Sequence, residues 1–150
     1  MSATADSPVP WVRKHIDSYV ETGGAVGHEF HGAQALLLTV RGRTSGLPRR
    51  TALYYATDGE DLLVVASQGG ADVHPQWYLN LQADPHVQVQ VGAQVLEAVA
   101  RTAAAQEKAR LWPLATTVWP PYDEYQAKTE RDIPLVVLTP VAGGGDGAAK

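Results

Sequence analysis

Four arginines, Arg41, Arg43, Arg49 and Arg50, fall within ten residues that hold no acidic side chain, in a chain whose formal net charge is -4. Gly42, Thr44, Ser45, Gly46 and Pro48 stand between them. Planar guanidinium forks match phosphate or carboxylate, hydroxyls add further donors, and glycine-rich backbone can turn its N–H groups toward an anion. The segment is a candidate anion cradle. The plain alternative is a solvated loop with its arginines in water. Apolar, β-branched and aromatic residues flank it over 36–40 and 51–57. That pattern predicts a β-hairpin whose connection is too long for a two-residue turn.

Three further stretches carry candidate chemistry. Ser67-Gln68-Gly69-Gly70 is a flexible, backbone-exposing break after an apolar run. Pro75 suits the start of a short helix holding Trp77, Tyr78 and Asn80. Trp119, Tyr122 and Tyr125 form an aromatic group near the C-terminus, and Tyr122 and Tyr125 lie three apart, on one side of a helix. A phenol can stack on a flat acceptor and donate a hydrogen bond or proton to an oxygen gaining charge. Packing is the alternative for Trp77, and an aromatic cluster closing the core is the alternative for the later trio.

Other chemistries lack their residues. The chain has no cysteine, which removes disulfides and thiolate metal sites. His28 and His31 have HxxH spacing without the HExxH pattern, and the surrounding glycines point to a loop; no metal site is expected. There is no Gly-x-Ser-x-Gly elbow, no GxxxxGK[ST] and no GxGxxG behind a strand. Mild acidity argues against general nucleic-acid affinity. No apolar run is long enough for a membrane span, and the N-terminus lacks a basic start with an apolar core, so a cytoplasmic protein is expected.

These groups need elements to hold them. At 150 residues one domain is expected. Residues 1–7 are small and polar, predicted to fray. A helix opens at Pro8 or Pro10, carries Trp11, Val12, Ile16, Tyr19 and Val20 as an apolar stripe, and stops at Gly23-Gly24. Asp58-Gly59 marks a turn before a buried strand over 62–66. Val87, Val89 and Val91 alternate with His86, Gln88 and Gln90, and Val95, Glu97, Val99 and Arg101 carry the alternation back. The pattern over 103–114 is helical, stopping near Pro113. A short helix over 122–129, a last strand over 135–139 and a glycine-rich tail complete the chain. The sum is an α+β barrel of about six mostly antiparallel strands with inserted helices.

Gly42-Arg43-Thr44-Ser45-Gly46-Leu47-Pro48-Arg49 resembles the GR-x-SG-x-PR signature of the deazaflavin (coenzyme F420)-dependent nitroreductase and quinone reductase family of actinobacteria. Ala66-Ser67-Gln68-Gly69-Gly70, His74-Pro75-Gln76-Trp77-Tyr78-Leu79-Asn80-Leu81, Trp119-Pro120-Pro121-Tyr122-Asp123-Glu124-Tyr125-Gln126 and Arg131-Asp132-Ile133-Pro134-Leu135-Val136-Val137-Leu138 follow in the family's order. The resemblance implies a split β-barrel shared with flavin-mononucleotide-binding oxidoreductases. It divides the chain into an N-terminal helix and loop (1–33), the deazaflavin-binding barrel (34–140) and a flexible tail (141–150).

By the same resemblance, Arg43, Thr44, Ser45, Arg49, Ser67, Gln68, Gly69 and Gly70 contact the anionic part of F420. Pro75, Trp77, Tyr78 and Asn80 pack near its ring. Trp119, Tyr122 and Tyr125 wall the substrate, with Tyr122 the proton donor or orienter. Many relatives carry Lys where Gln68 stands, and some carry Tyr in place of Trp119. The implied activity is hydride transfer from reduced F420 to a planar, electron-poor small molecule such as a quinone or nitroaromatic, with flavin mononucleotide as the alternative cofactor. Two rivals stay open: a deazaflavin- or flavin-binding carrier without turnover, and an oligonucleotide-binding barrel stacking bases on Tyr54 and Tyr55. In relatives acting on lipid-soluble substrates the N-terminal segment is linked to the membrane, so weak peripheral contact is an expectation here. Monomer and homodimer both fit.

Overall fold

The computed structural model describes residues 5–6, 10–25, 29–30 and 33–141. The hairpin forms where predicted. Strands β3 (Ala33–Arg41) and β4 (Pro48–Tyr54) pair antiparallel, with Ala35 opposite Tyr54 and Arg41 opposite Pro48. Leu36, Leu38 and Val40 face an inner core, whereas Leu37 faces outward and is covered by Ile16 and Tyr19 of helix α1 (Pro10–Thr22). This is the period-two consequence of a strand buried on both sides.

The second half of the hairpin differs from expectation. The chain leaves β4 at Tyr55 and starts β5 (Ala56–Asp58), which pairs with β6 (Asp61–Val65) instead of β3. Strands β7 (His86–Val91), β8 (Gln94–Thr102) and β9 (Leu135–Pro140) complete a path β4-β3-β7-β8-β9-β6-β5. Strands β4 and β5 are joined through one residue yet stand at opposite ends of that path, so the sheet must curl until its ends meet. Residues facing inward from β3, β6, β7, β8 and β9 fill the curl, joined by Tyr55 and by Tyr78 and Leu81 of helix α2 (Gln76–Ala83). This is the α+β split barrel implied by the resemblance.

Strands β6 and β9 are apolar at successive positions because both faces are buried. Leu62 and Val64 point inward; Leu63 and Val65 point outward, where Leu135 and Val137 meet Leu111 and Ala115 of helix α3 (Ala105–Val118) and Tyr122 of helix α4 (Tyr122–Lys128). Helix α3 runs past Pro113, contrary to the expected stop. Pro113 is exposed, and Leu111 and Ala115, one turn apart, both pack on the sheet, so tertiary burial outweighs the lost backbone bond.

Two short strands were not anticipated. Strand β1 (Ala5–Asp6) pairs in parallel with Arg49 and Arg50 rather than fraying, because the outer edge of β4 offers unpaired backbone groups to an extended segment. Strand β2 (Glu29–Phe30) folds back on Ala33 and Gln34. His28 and His31, residues 1–4 and the tail 142–150 lie outside the described residues. Among the described residues, no helix is long and apolar enough to cross a membrane, and no group of three His, Asp or Glu side chains could hold a metal.

Helix α1 packs through Ile16 and Tyr19, and Tyr19 also fastens it by hydrogen bonds. The Tyr19 hydroxyl accepts from the Gly92 N–H at 2.6 Å and donates to the Ala35 carbonyl at 3.1 Å. Ile16 and Tyr19 are fully buried, while Val20, expected on the same stripe, is 43% exposed. Tyr19→Phe should lower the free energy of unfolding by about 1–3 kcal/mol, the cost of leaving a buried partner unmatched. A urea titration of the two proteins measures it, and an unchanged midpoint would show that this hydroxyl does not hold the helix.

Candidate active site

The turn between β3 and β4 folds over Gly42. Gly42 N–H donates to the Leu47 carbonyl and Gly46 N–H to the Gly42 carbonyl, both at 2.8 Å. Ser45 Oγ accepts from Leu47 N–H at 3.2 Å and from Arg49 Nη2 at 3.4 Å. A Cβ on Gly42 would stand 2.7 Å from Ser45 Oγ and 3.3 Å from Arg49 Nε. The missing side chain at Gly42 leaves the space in which hydroxyl and guanidinium converge over the turn. Arg41, Thr44, Ser45 and Arg49 are exposed around it.

Arg43 does something else. Its backbone N–H and Nη1 both donate to Asn80 Oδ1, at 3.1 and 2.7 Å, and Nη2 donates to Gln76 Oε1 at 2.8 Å. Asn80 is 7% exposed, so its side chain is engaged in bracing the turn against α2. The charge of Arg43 still contributes to the positive field of the turn, but three of its donors, the backbone one included, are committed.

The Ser67–Gly70 segment is a single 3-10 turn (Gln68–Gly70), with Gln68 at φ 46° and Gly70 at φ 86°. A Cβ on Gly70 would lie 2.9 Å from the Tyr125 carbonyl oxygen and 3.0 Å from its Cα. The turn thus sits directly on the backbone of α4. Arg131 meets it from behind, donating to the carbonyls of Ala66, Ser67 and Ala71. His74 Nδ1 lies 2.9 Å from Arg131 Nη1, and burial, then the Arg131 charge, hold the His74 pKa below its ordinary value. Pro75 is buried and opens α2.

Tyr78 points into the barrel, its hydroxyl 2.7 Å from Thr102 Oγ1 and accepting from Gln82 Nε2 at 3.2 Å. Trp77 packs half-buried against the inner core, edge-on to Tyr78. The C-terminal aromatics come together as the spacing predicted. Tyr122 and Tyr125 are 6.1 Å apart between ring centroids, Trp119 Nε1 donates to the Tyr125 hydroxyl at 3.4 Å, and Trp119 stacks on Tyr54 at 4.3 Å. Tyr122 is only 6% exposed, and burial, followed by the neighbouring phenols of Tyr54 and Tyr125, pushes its pKa well above the ordinary range.

Contacts and chain order link the predicted groups into an arc, from which Tyr78 departs into the barrel core. Arg43 joins the arginine turn to α2, α2 follows the Ser67–Gly70 turn in the chain, Gly70 rests on α4, and Trp119 returns to Tyr54 on the strand that carries Arg49. Sequence reasoning missed Tyr54 as part of the aromatic group, and missed Gln76 and Arg131 as braces. The one signal was a pair of adjacent tyrosines on a strand, whose rings must face opposite sides.

Residues 11–140 match the family model for the F420H(2)-dependent quinone reductase. The chain belongs to this family. An F420H(2)-dependent quinone reductase of Mycobacterium tuberculosis is 40% identical over 135 residues, 87% of this chain and 91% of that protein. A solved F420-H2 dependent reductase (FDR-A) is 40% identical with a TM-score of 0.65, covering 69% of this chain and 92% of its own. A structure described as a domain-swapped dimer is 37% identical with a TM-score of 0.69, covering 88% of this chain and 99% of its own. A heme storage protein of Vibrio cholerae, 15% identical with a TM-score of 0.57, shares the fold alone.

This member of the quinone reductase family is an oxidoreductase, and its hydride donor is reduced coenzyme F420, ahead of the flavin mononucleotide that the residues alone leave open. The residues fit a ligand with a phosphate and acidic tail: exposed Arg41 and Arg49 flank a turn whose glycine at 42 lets Ser45 and Arg49 converge. The raised pKa of Tyr122 has a measurable consequence. Above the ordinary phenol value of 10.0 the unfolded chain gives up a proton that folded Tyr122 keeps, so stability falls as pH rises through that point. Wild-type protein should lose stability above pH 10.0 more steeply than Tyr122→Phe, approaching ~1.4 kcal/mol per pH unit for this group. Urea midpoints on both sides of that pH check it; parallel curves would mean that Tyr122 ionises freely.

Proposed function

We propose that reduced F420 lies along the arc from the arginine turn to the Ser67–Gly70 turn, and that its hydride passes to a quinone against Trp119, Tyr125 and Tyr54. The observation that carries this reading is the seat of Gly70 on the Tyr125 backbone. It makes the glycine turn and the aromatic helix adjoining walls, which a hydride transfer between two flat molecules requires. When bound, the deazaflavin supplies the hydride; the protein binds, orients and excludes water.

The twelve cofactor residues then divide by role. Arg49, Thr44 and Ser45 bind the anionic groups with the turn at Ser67, Gln68, Gly69 and Gly70. Arg43 and Asn80 hold the arginine turn in place. Pro75, Trp77 and Tyr78 hold α2. Gln68 offers amide hydrogen bonds without the charge of a lysine, so it adds less to tail affinity. A quinone that accepts hydride gains charge on a carbonyl oxygen, which a neutral phenol stabilises by donating a hydrogen bond or the proton that completes the hydroquinone. Tyr122, almost fully buried and edge-on to Tyr125, orients that less buried phenol toward the acceptor. Nitroaromatics and activated enones are secondary acceptors.

For assembly we propose a homodimer, supported by the likeness to the structure described as a domain-swapped dimer, nearly all of which is matched. Sedimentation at micromolar concentration should give a particle of two chains, and a one-chain particle would exclude it. Peripheral membrane contact through α1 would rest on its exposed positions, such as Arg13, Lys14 and Val20.

Fluorescence titration with F420, paired with oxidation of F420H2 by menadione, tests the function. Wild-type protein should bind and turn over. Arg49→Ala should bind on the order of tenfold more weakly, the loss of a charge-assisted hydrogen bond. Binding without oxidation by menadione would replace the reductase with a carrier, and unchanged affinity in Arg49→Ala would leave the arginine turn outside the site.

A further inference from the structure

Arg131 lies between α4 and β9 and has no role as ligand or reactant in the assignment above. Its guanidinium is nevertheless fully engaged. Nε donates to the Ala71 carbonyl at 2.7 Å, Nη2 to the Ser67 carbonyl at 2.8 Å and the Ala66 carbonyl at 3.3 Å, and Nη1 to the Ala66 carbonyl at 3.2 Å. Nη1 also meets His74 Nδ1 at 2.9 Å; a guanidinium has no acceptor, so that ring nitrogen accepts and His74 is the neutral tautomer protonated on Nε2. The Arg131 backbone is tied as well. Its N–H donates to Thr129 Oγ1, whose hydroxyl donates to Asp72 Oδ1 at 2.8 Å, and its carbonyl accepts from Gln126 Nε2 at 2.8 Å.

Three carbonyls converging on one cation fix the direction of three peptide groups. The described chain has no cis peptide, and in a trans peptide the N–H points opposite the C=O. Carbonyls of Ala66, Ser67 and Ala71 held toward Arg131 therefore turn the N–H groups of Ser67, Gln68 and Asp72 away from it. A negative ligand is repelled by carbonyl oxygens and attracted by N–H groups, so the same loop rotated about its peptides would reject what it now accepts. The loop does not choose this state by itself, since Gln68 adopts φ 46°, which costs a non-glycine residue about 1–2 kcal/mol.

We propose that Arg131 is a positioning residue for the F420 site, setting the peptide orientation of the Ser67–Gly70 turn so that its donor edge faces the cofactor's acidic groups. This rests on the assignment of that turn to F420. Lysine cannot replace it: a single ammonium satisfies neither the planar fork nor three separated carbonyls.

The test is steady-state kinetics and F420 binding by wild type, Arg131→Lys and Arg131→Ala, with melting curves for each. The expected result is a rise on the order of tenfold in KM for F420H2 and in the F420 dissociation constant, with KM for menadione changed by less than about twofold. Millimolar methylguanidine should recover F420 binding in Arg131→Ala, and methylammonium should not. Amide hydrogen exchange of apo Arg131→Lys should quicken at Gly70 and Ala71, whose N–H groups donate to the Ser67 and Gln68 carbonyls, while the barrel strands keep their protection. Three results would overturn the proposal: an unchanged KM for F420H2 in Arg131→Lys, a loss shared by both substrates that tracks lowered melting, or rescue by methylammonium. Wild-type protein that fails to bind F420 overturns the assignment of the turn itself, and the proposal with it; wild-type binding with an unaffected Arg131→Lys overturns the proposal alone.

Discussion

Tyr54, Tyr55 and Ala56 are consecutive, yet their side chains go to three places. Tyr54 stacks on Trp119, Tyr55 enters the inner core and Ala56 joins the outer one. The chain changes partner strand at this point, so the curl of the sheet is a condition on three residues rather than a property spread over every strand. The two ends of the sheet are held together covalently through Tyr55, and the candidate site draws on elements from both sides of that seam. Arg49 and Tyr54 lie on β4 before it. The Ser67–Gly70 turn follows β6 after it, and Trp119 and α4 cover the outside. A barrel that opened here would separate the arginine turn from the C-terminal aromatic group without breaking either.

Charge is distributed along the same lines. Several cations hold parts together: Arg43 grips α2, Arg131 the glycine turn, Arg101 and Glu107 pair across the start of α3, Arg110 pairs with Asp58, and Lys108 with Asp132. The exposed ion pairs contribute at most about 1 kcal/mol each. Arg43 and Arg131 differ because their acceptors are amide and carbonyl oxygens that fix a geometry, so removing either would leave acceptors unmatched and a loop free to rotate. Arg41 and Arg49, exposed beside Thr44 and Ser45, are the guanidiniums the turn presents outward. A net acidic protein can still concentrate positive potential at one turn by placing its acids elsewhere.

Local pattern was enough for the strands whose faces differ and for those buried on both sides. Val87 and Val89 inside with Gln88 outside make β7 legible, and the unbroken apolar run of β6 is legible because neither face meets water. What local pattern does not carry is the choice of partner. Nothing in the run from Thr51 to Thr57 distinguishes continuing beside β3 from switching to β6, since both offer apolar neighbours. Strand β1 exists only because β4 has an open edge, and α3 passes Pro113 only because Leu111 and Ala115 find a sheet to pack on. The site has the same division. The residue types that suit an acidic cofactor were visible as a cluster, whereas the destination of each guanidinium depended on atoms 37 residues away for Arg43 and 64 for its contact with Ser67 from Arg131.

That division explains why one short motif mixes residues of different duty. Arg43 and Arg49 are separated by one turn of backbone, and both read as anion ligands, yet one faces α2 and the other the exposed face of the turn. Asn80 and Tyr78 are two apart on α2; the first receives Arg43 and the second enters the barrel. Tyr122 and Tyr125 are three apart on α4, and burial alone separates them, one phenol sealed among Trp112, Tyr54 and Ala115 and the other reaching the Trp119 indole. In the arginine and tyrosine pairs a residue suited to touch a ligand stands beside one that fixes its angle. A substitution in the second kind therefore alters recognition without removing a contact, and only measurements that separate the two substrates distinguish the two kinds.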